Sequence, residues 1–332
     1  MKKFFLVAAA VAALATPALA ADLKMVTKAP PKAPEFPQWD AAFGAVLTSD
    51  YNFRGISQSN HKPSVIAYFE QRYNPWKDLQ FYGGIGAASI SFPNRAAAEI
   101  DFWAGVRPTF GALALDFGAW YYWYPGGQCF NTLVTSPLEC QQNGAIPING
   151  NIVKSNLSFW EVYAKAALTV NEYITIGGAA YYSNSVLNSG ADGTFVVGNI
   201  KYTAPSNMLP AGLGFYASAE IGHWYLGQTD SFYCTQNAAA ACAPPYPDGL
   251  PFQSYTTWNL GIGFTKSVFT LDLRYYDTNL SDGDCNAFTG DQTARFTNSV
   301  TPINPGGFGS SWCSSAFIVS GKFDLTALAN LK

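Results

Sequence analysis

Between Glu99 and Tyr124 the chain reads EIDFWAGVRPTFGALALDFGAWYYWY, with apolar side chains at every second position. Ile100, Phe102, Ala104 and Val106 alternate with Glu99, Asp101, Trp103, Gly105 and Arg107. After Phe110-Gly111, Leu113, Leu115, Phe117, Ala119, Tyr121 and Trp123 alternate with Ala114, Asp116, Gly118, Trp120 and Tyr122. A period of two sends alternate residues to opposite faces of a strand, so this stretch predicts a hairpin with one apolar and one mixed face. Such a hairpin fits a half-buried piece of a soluble sandwich. It fits equally a barrel that is greasy outside and wet inside.

The pattern repeats along the chain. A first strand is expected over Trp39–Asn52, a second over about Ser64–Tyr73 with weaker alternation, and a third from Leu79. The fourth and fifth are the hairpin above. A sixth carries Trp160, Val162, Ala164, Ala166 and Leu168 on one face, and a seventh begins at Ile174. The eighth is placed at about Thr194–Tyr202, the ninth around Leu213–Ile221, the tenth around Trp258–Phe264 and the eleventh around Phe269–Tyr275. The twelfth is placed at Ser314–Leu325. Long or polar connections follow the odd-numbered strands, short ones the even-numbered. A sandwich has no reason to sort loop lengths by parity. A membrane barrel does, with short periplasmic turns, long outer loops and an even strand number. The expected fold is therefore all-β: a transmembrane antiparallel up-and-down barrel of about twelve strands over residues 39–325.

Composition agrees. Charged residues are 12% of the chain, about half the usual share, aromatics are 16%, and mean hydropathy is only +0.03. That excludes a helical membrane protein but suits strands that alternate. The net charge of −3 and the lack of a basic stripe exclude a nucleic-acid partner. Residues 1–20 read as a secretory signal peptide: Lys2-Lys3, an apolar core from Phe4 to Ala15, and Pro17-Ala18-Leu19-Ala20 before the expected cleavage. The core is shorter than the roughly 20 residues a spanning helix needs. Losing the two lysines takes the net charge from −3 to −5. Residues 21–38 hold four prolines and read as an extended periplasmic linker. Residues 326–332 form a tail beyond the last strand.

Candidate chemistry is sparse. All six cysteines fall in three long loops, two per loop. Local pairing gives Cys129–Cys140, Cys234–Cys242 and Cys285–Cys313, which an exported chain permits. No C-x-x-C spacing with a nearby histidine points to a metal. His61 lies in the first outer loop, and His223 has lipid-facing parity beside Trp224 and Tyr225. Neither is expected in the lumen beside a serine and a carboxylate, as a lipid-hydrolysing barrel would need. The segment 277–291 opens like a calcium loop at Asp282-Gly283-Asp284. However, Ala287 stands where glycine is required and Thr293 where glutamate is required. Charges with lumen-facing parity are Asp101, Arg107, Asp116, Glu161, Lys165, Glu220, Asp272, Arg274 and Lys322. They fit either a salt-bridged filling or a water path whose field sorts solutes.

The stretch LTSDYNFRGISQS (47–59) carries the pattern SDYxFRGxSxS, and with LDLRYYDTNLS (271–281) and CSSAFIVSGKF (313–323) it resembles the TorF family of proteobacterial outer-membrane proteins, grouped as porins. The resemblance implies an outer-membrane barrel and no catalytic residues. Asp50, Tyr51, Arg54 and Gly55 match its first motif. Gly55 suits a tight bend, and Arg54 suits pairing with a carboxylate or an outer polysaccharide. The tail after the last strand departs from barrels that end on an aromatic. The expected function is passive diffusion of small polar solutes or ions, without a cofactor or a reaction. The expected surroundings are the bacterial outer membrane, its lipid and lipopolysaccharide, and the barrel-assembly machinery. A closed barrel with stapled loops acting as a surface binding protein, and a lipid-modifying enzyme, are the alternatives.

Overall fold

In a computed structural model of the chain, which describes residues 37–130, 149, 151–210, 212–234 and 244–331, the period-two pattern becomes twelve long strands. They are β1 (Trp39–Thr48), β2 (Ser64–Trp76), β3 (Leu79–Ala88), β4 (Glu99–Phe110), β5 (Leu113–Trp123) and β6 (Phe159–Thr169). There follow β7 (Ile174–Ser183), β8 (Gly193–Thr203), β9 (Gly214–Leu226), β10 (Tyr255–Lys266), β11 (Phe269–Thr278) and β12 (Ala316–Thr326). Each pairs antiparallel with its sequence neighbour, and β1 also pairs with β12, so the sheet closes into a barrel without an edge. The expected signal peptide, most of the expected linker, Cys140 and Cys242 lie outside the described residues.

Register decides the faces. On β4 and β5, Phe102 stands opposite Tyr121 on the outside, while Trp103 stands opposite Trp120 on the inside. The outer surface is apolar round the wall: Phe69, Ile85, Phe102, Phe117, Val162, Ile176, Val196, Ile221, Leu260, Leu271 and Val319 are all exposed. Aromatic residues mark both rims, with Trp39, Trp76, Phe110, Tyr202 and Phe269 at one end and Trp123, Trp160, Tyr182, Tyr225 and Phe317 at the other. Covering one such side chain is worth about 1.5–3 kcal/mol. A wall of them is stable only against lipid, and two aromatic girdles round an apolar band are the signature of a membrane-spanning barrel. No helix among the described residues is long and apolar enough to cross a membrane.

The parity of the connections is as expected, with one departure. Residues 77–78, 111–112, 170–173 and 267–268 make tight turns at one end, but 204–213 is ten residues long. The described residues of the connections 49–63, 89–98, 124–158, 184–192, 227–254 and 279–315 gather at the other end. Three boundaries are corrected. β1 stops at Thr48 instead of Asn52, because the Thr48 hydroxyl donates to the Asp50 carbonyl (2.8 Å) and the chain bends inward. The segment expected to be a calcium-like acidic loop is a helix, α1 (Asp282–Thr289). Its N-cap Ser281 accepts from the Asp284 amide, and Asp282 and Asp284 occupy the first turn, where carboxylates favour the helix dipole. Thr326, expected to open the tail, closes β12, and Ala327–Asn330 of the tail form a short helix.

The apolar core sits at the loop end of the lumen, where inward-facing wall residues meet the loops, in two clusters. One holds Ile56, Phe195, Trp224, Phe252, Tyr255, Phe288 and Trp312, and the other Phe92, Tyr122, Tyr124, Phe130, Val153 and Phe159. Phe53 and Leu187 pack against both.

Candidate functional site: a lumen stopped at its loop end

Loop 49–63 does not project outward. Asn52-Phe53 pairs with Ile56-Ser57 in a small hairpin whose tip is Arg54-Gly55. Arg54 (φ 51°) and Gly55 (φ 83°) are both left-handed, and the Asn52 side-chain oxygen accepts the Gly55 amide at 2.9 Å. A Cβ at Gly55 would collide with Thr257 of β10 and Thr278 of β11, so only glycine fits there.

The hairpin bridges the bore from wall to wall. On one side Tyr51 donates to Glu99 of β4 at 2.6 Å, and Arg54 forks onto Glu161 of β6 at 2.7 and 2.8 Å. On the other side Tyr255 of β10 donates to the Arg54 carbonyl at 3.0 Å. The Arg54–Glu161 pair is withdrawn from water, with side-chain exposures of 6% and 1%. The rings of Phe53, Tyr181, Phe195 and Trp224 lie 4.5–4.8 Å from the guanidinium. A planar, weakly hydrated guanidinium can stack flat on such faces, which a compact ammonium cannot do.

Above the hairpin sits a lid built by loop 279–315. The Cys285–Cys313 disulfide ties α1 to the end of that loop. Phe288 of α1 packs on Phe252 and Trp224, with ring centroids 4.9 and 5.6 Å apart. The Ser57 amide donates to the Trp312 carbonyl (2.8 Å), and the Trp312 indole donates to Asn60 (2.9 Å). A cavity of about 40 Å³ lies between hairpin and lid, lined by Phe53, Phe92, Trp224, Phe288 and Trp312. It has room for a few water molecules and for no sugar or amino acid. Cys129 and Cys234 are also disulfide-bonded.

Below the hairpin the lumen is open. One cavity of about 390 Å³ lies under the tip, lined by Asn199, Lys201, Ser218, Glu220, Asn259 and Arg274 among others. A second, of about 530 Å³, shares Asn199 and Glu220 with it and reaches Lys77-Asp78 at the turn end.

The lumen-facing charges fall into pairs and free groups. Arg107 meets Glu70 at 2.8 Å and Asp116 at 3.3 Å. Tyr82 donates to Asp116 and shares a hydrogen bond with Tyr163 at 2.5 Å. Gly105 and Gly118 leave the space those two rings occupy. Arg274 meets Asp272 at 3.0 Å, and Tyr216 donates to Asp272 at 2.5 Å. Lys165 lies over the Tyr163 ring (4.1 Å) and Lys201 over Tyr216 (4.5 Å). Glu220 accepts from Asn259 at 3.1 Å, and one Asp101 oxygen is buried without a hydrogen-bond partner among the described residues. No ion pair joins Lys165, Lys201, Lys322, Glu220 or Asp101 to an opposite charge among the described residues.

Sequence reading missed Glu70, Arg72 and Lys201. Ile66 points inward and Gln71 outward on β2, which blurred the alternation that would have flagged Glu70. Glu161, expected among the lumen charges, is paired with Arg54, the kind of carboxylate pairing the motif suggested for that arginine. Of the two histidines, His223 stands where its parity placed it and His61 departs from expectation. His223 is on the outer face, bonded to Thr256 at 2.8 Å. His61 does stand beside a serine and a carboxylate: its Nδ1 is 2.8 Å from Asp50, and its amide donates to Ser57. Its Nε2 faces the Ser311 carbonyl at 2.8 Å, so no hydroxyl occupies the position a nucleophile would take.

Comparison with known proteins adds little beyond the fold. A model of a bacterial family of unknown function, Gcw_chp, matches residues 37–145, a span that includes the hairpin motif. No curated protein matches. Among solved structures, a membrane protein studied for in-meso crystallisation aligns at 12% identity and TM-score 0.44, over 86% of this chain and 83% of its own. The KdgM porin aligns at 7% and 0.39, over 86% and 98%. LpxR from Salmonella typhimurium aligns at 8% and 0.38, over 86% and 99%. At these scores the likeness carries no inference about activity.

Proposed function

We propose that the chain is a bacterial outer-membrane channel of small bore that passes small polar solutes passively, with the Asn52–Ser57 hairpin as its gate. The loop end would face the lipopolysaccharide and the turn end the periplasm. The observation that carries this reading is the contrast along the axis. Polar cavities of about 390 and 530 Å³ lead up from the turn end, and they stop at a hairpin held by side-chain contacts to both walls. A purely structural barrel has no use for such a wet vestibule, and a loop that is not part of the wall can leave without opening the sheet. Wall charges of both signs would set a weak ion preference rather than a strong one.

A second reading is supported by the apolar clusters over the hairpin. If they never part, the protein is a closed barrel that presents stapled loops to the outside. Planar-bilayer recording of purified protein separates the two. Brief, small openings in the wild type, prolonged when the hairpin tip is replaced by a short Gly linker, are expected of the channel. Silence from both proteins would leave the closed barrel.

A further inference from the structure

The contact between hairpin and lid contains one titratable link. The His61 ring lies between the Asp50 carboxylate on Nδ1 and the Ser311 carbonyl on Nε2, each at 2.8 Å. Both partners only accept, and a neutral imidazole has one N–H to donate. Both bonds form together only when the ring carries two protons. Asp50 closes the base of the hairpin loop by accepting from Ser57 (2.6 Å) and Ser59 (2.9 Å) as well. Ser311 belongs to the lid, two residues before the disulfide at Cys313. The ring therefore joins the gate to the stapled lid through a proton.

We propose that protonated His61 latches the lumen hairpin to the lid, and that loss of its proton at alkaline pH frees the hairpin. The gating consequence rests on the channel reading above, but the latch itself does not.

The two carboxylates around the ring favour its protonated form, and the neighbouring lysine carries the opposite charge. Asp50 faces it from the end of β1, Asp291 from the lid loop, and Lys62 follows it in its own loop. The hydrogen bond to Asp50 pushes the His61 pKa above its usual value near 6.5; burial pulls the other way, and the Ser311 carbonyl and the Asp50 and Asp291 charges add to the rise. Burial pushes the Asp50 carboxyl up, but the bonds from His61, Ser57 and Ser59 outweigh it and hold the pKa below the ordinary 3.8. A raised folded-state histidine pKa stabilises fully below the unfolded value, and the effect is lost as pH climbs through the folded one. A depressed carboxyl acts from the other side, failing as pH falls through its own folded pKa. The latch is thus closed from mildly acid to near-neutral pH.

Hydrogen-exchange protection of residues 49–63 and single-channel recording, both at pH 6 and pH 9, test this on the full chain. Wild-type protection should fall at pH 9, by about tenfold for each unit by which the folded His61 pKa exceeds the unfolded one, with open probability rising in parallel. His61→Gln should show low protection at both pH values. Should that variant fail to assemble, imidazole NMR of the wild type decides. His223→Gln, altered only on the outer face, assigns the two histidines. A His61 pKa at or below 6.5 overturns the latch. Protection that changes with pH in a protein that never conducts supports the latch and removes the channel. Currents with pH-independent protection and open probability remove the latch and leave the channel.

Discussion

The guanidinium of Arg54 and the carboxylate of Glu161 are both almost wholly shielded from water, so neither can lose its partner cheaply. Removing one member of a buried pair typically costs about 3–5 kcal/mol, because the other charge is stranded. Arg54→Ala should therefore loosen the hairpin by that order, read as lost exchange protection across residues 49–63. The paired change Arg54→Met with Glu161→Leu should be milder than either single change, since no charge is left buried. An equal loss from single and paired variants would mean that the ion pair does not hold the hairpin. Gly55→Ala tests the same hinge without touching charge. Its methyl would meet Thr257 and Thr278 on a backbone already left-handed, so the tip should lift and channel openings lengthen.

At the scale of elements, the strands were legible and the loops were not. Register along β4 and β5 follows directly from Phe102, Tyr121, Trp103 and Trp120, because a one-residue slip would put the apolar set in the lumen. Nothing in SDYNFRGISQS states that it turns inward. Its fate depends on Glu99, Glu161 and Tyr255, residues 48, 107 and 201 positions away along the chain. The helix Asp282–Thr289 was masked in the same way: Ser281 and the acids of its first turn are ordinary capping residues, which the likeness to a calcium loop obscured. Locally paired cysteines were legible, and the Cys285–Cys313 bond has that pairing. Cys285→Ser with Cys313→Ser releases a loop whose closure is worth about 2–4 kcal/mol. The lid should then become protease-sensitive while the strands keep their heat resistance. Loss of strand stability in parallel would show that the lid is needed by the wall.

For the whole molecule, the two surfaces are inverted relative to a soluble protein: the lumen below the hairpin is ionic and the outside apolar. That inversion makes a test on the outer wall informative. Leu260 is 63% exposed and centred on β10, and Leu260→Arg should cost about 2–4 kcal/mol in a bilayer. The same change on a solvent-facing wall would be nearly neutral. Urea titration of the protein folded in lipid vesicles measures it. A channel of this kind requires a lumen that is accessible from the turn end and stopped at the loop end. The most direct test places a single free thiol below the hairpin, as Ser218→Cys, in vesicles of known orientation. A membrane-impermeant maleimide should label it from the turn side and fail from the loop side until Arg54 is also removed. Equal labelling from both sides in the otherwise unaltered protein would contradict the stopped lumen, and no labelling from either side would contradict the open vestibule.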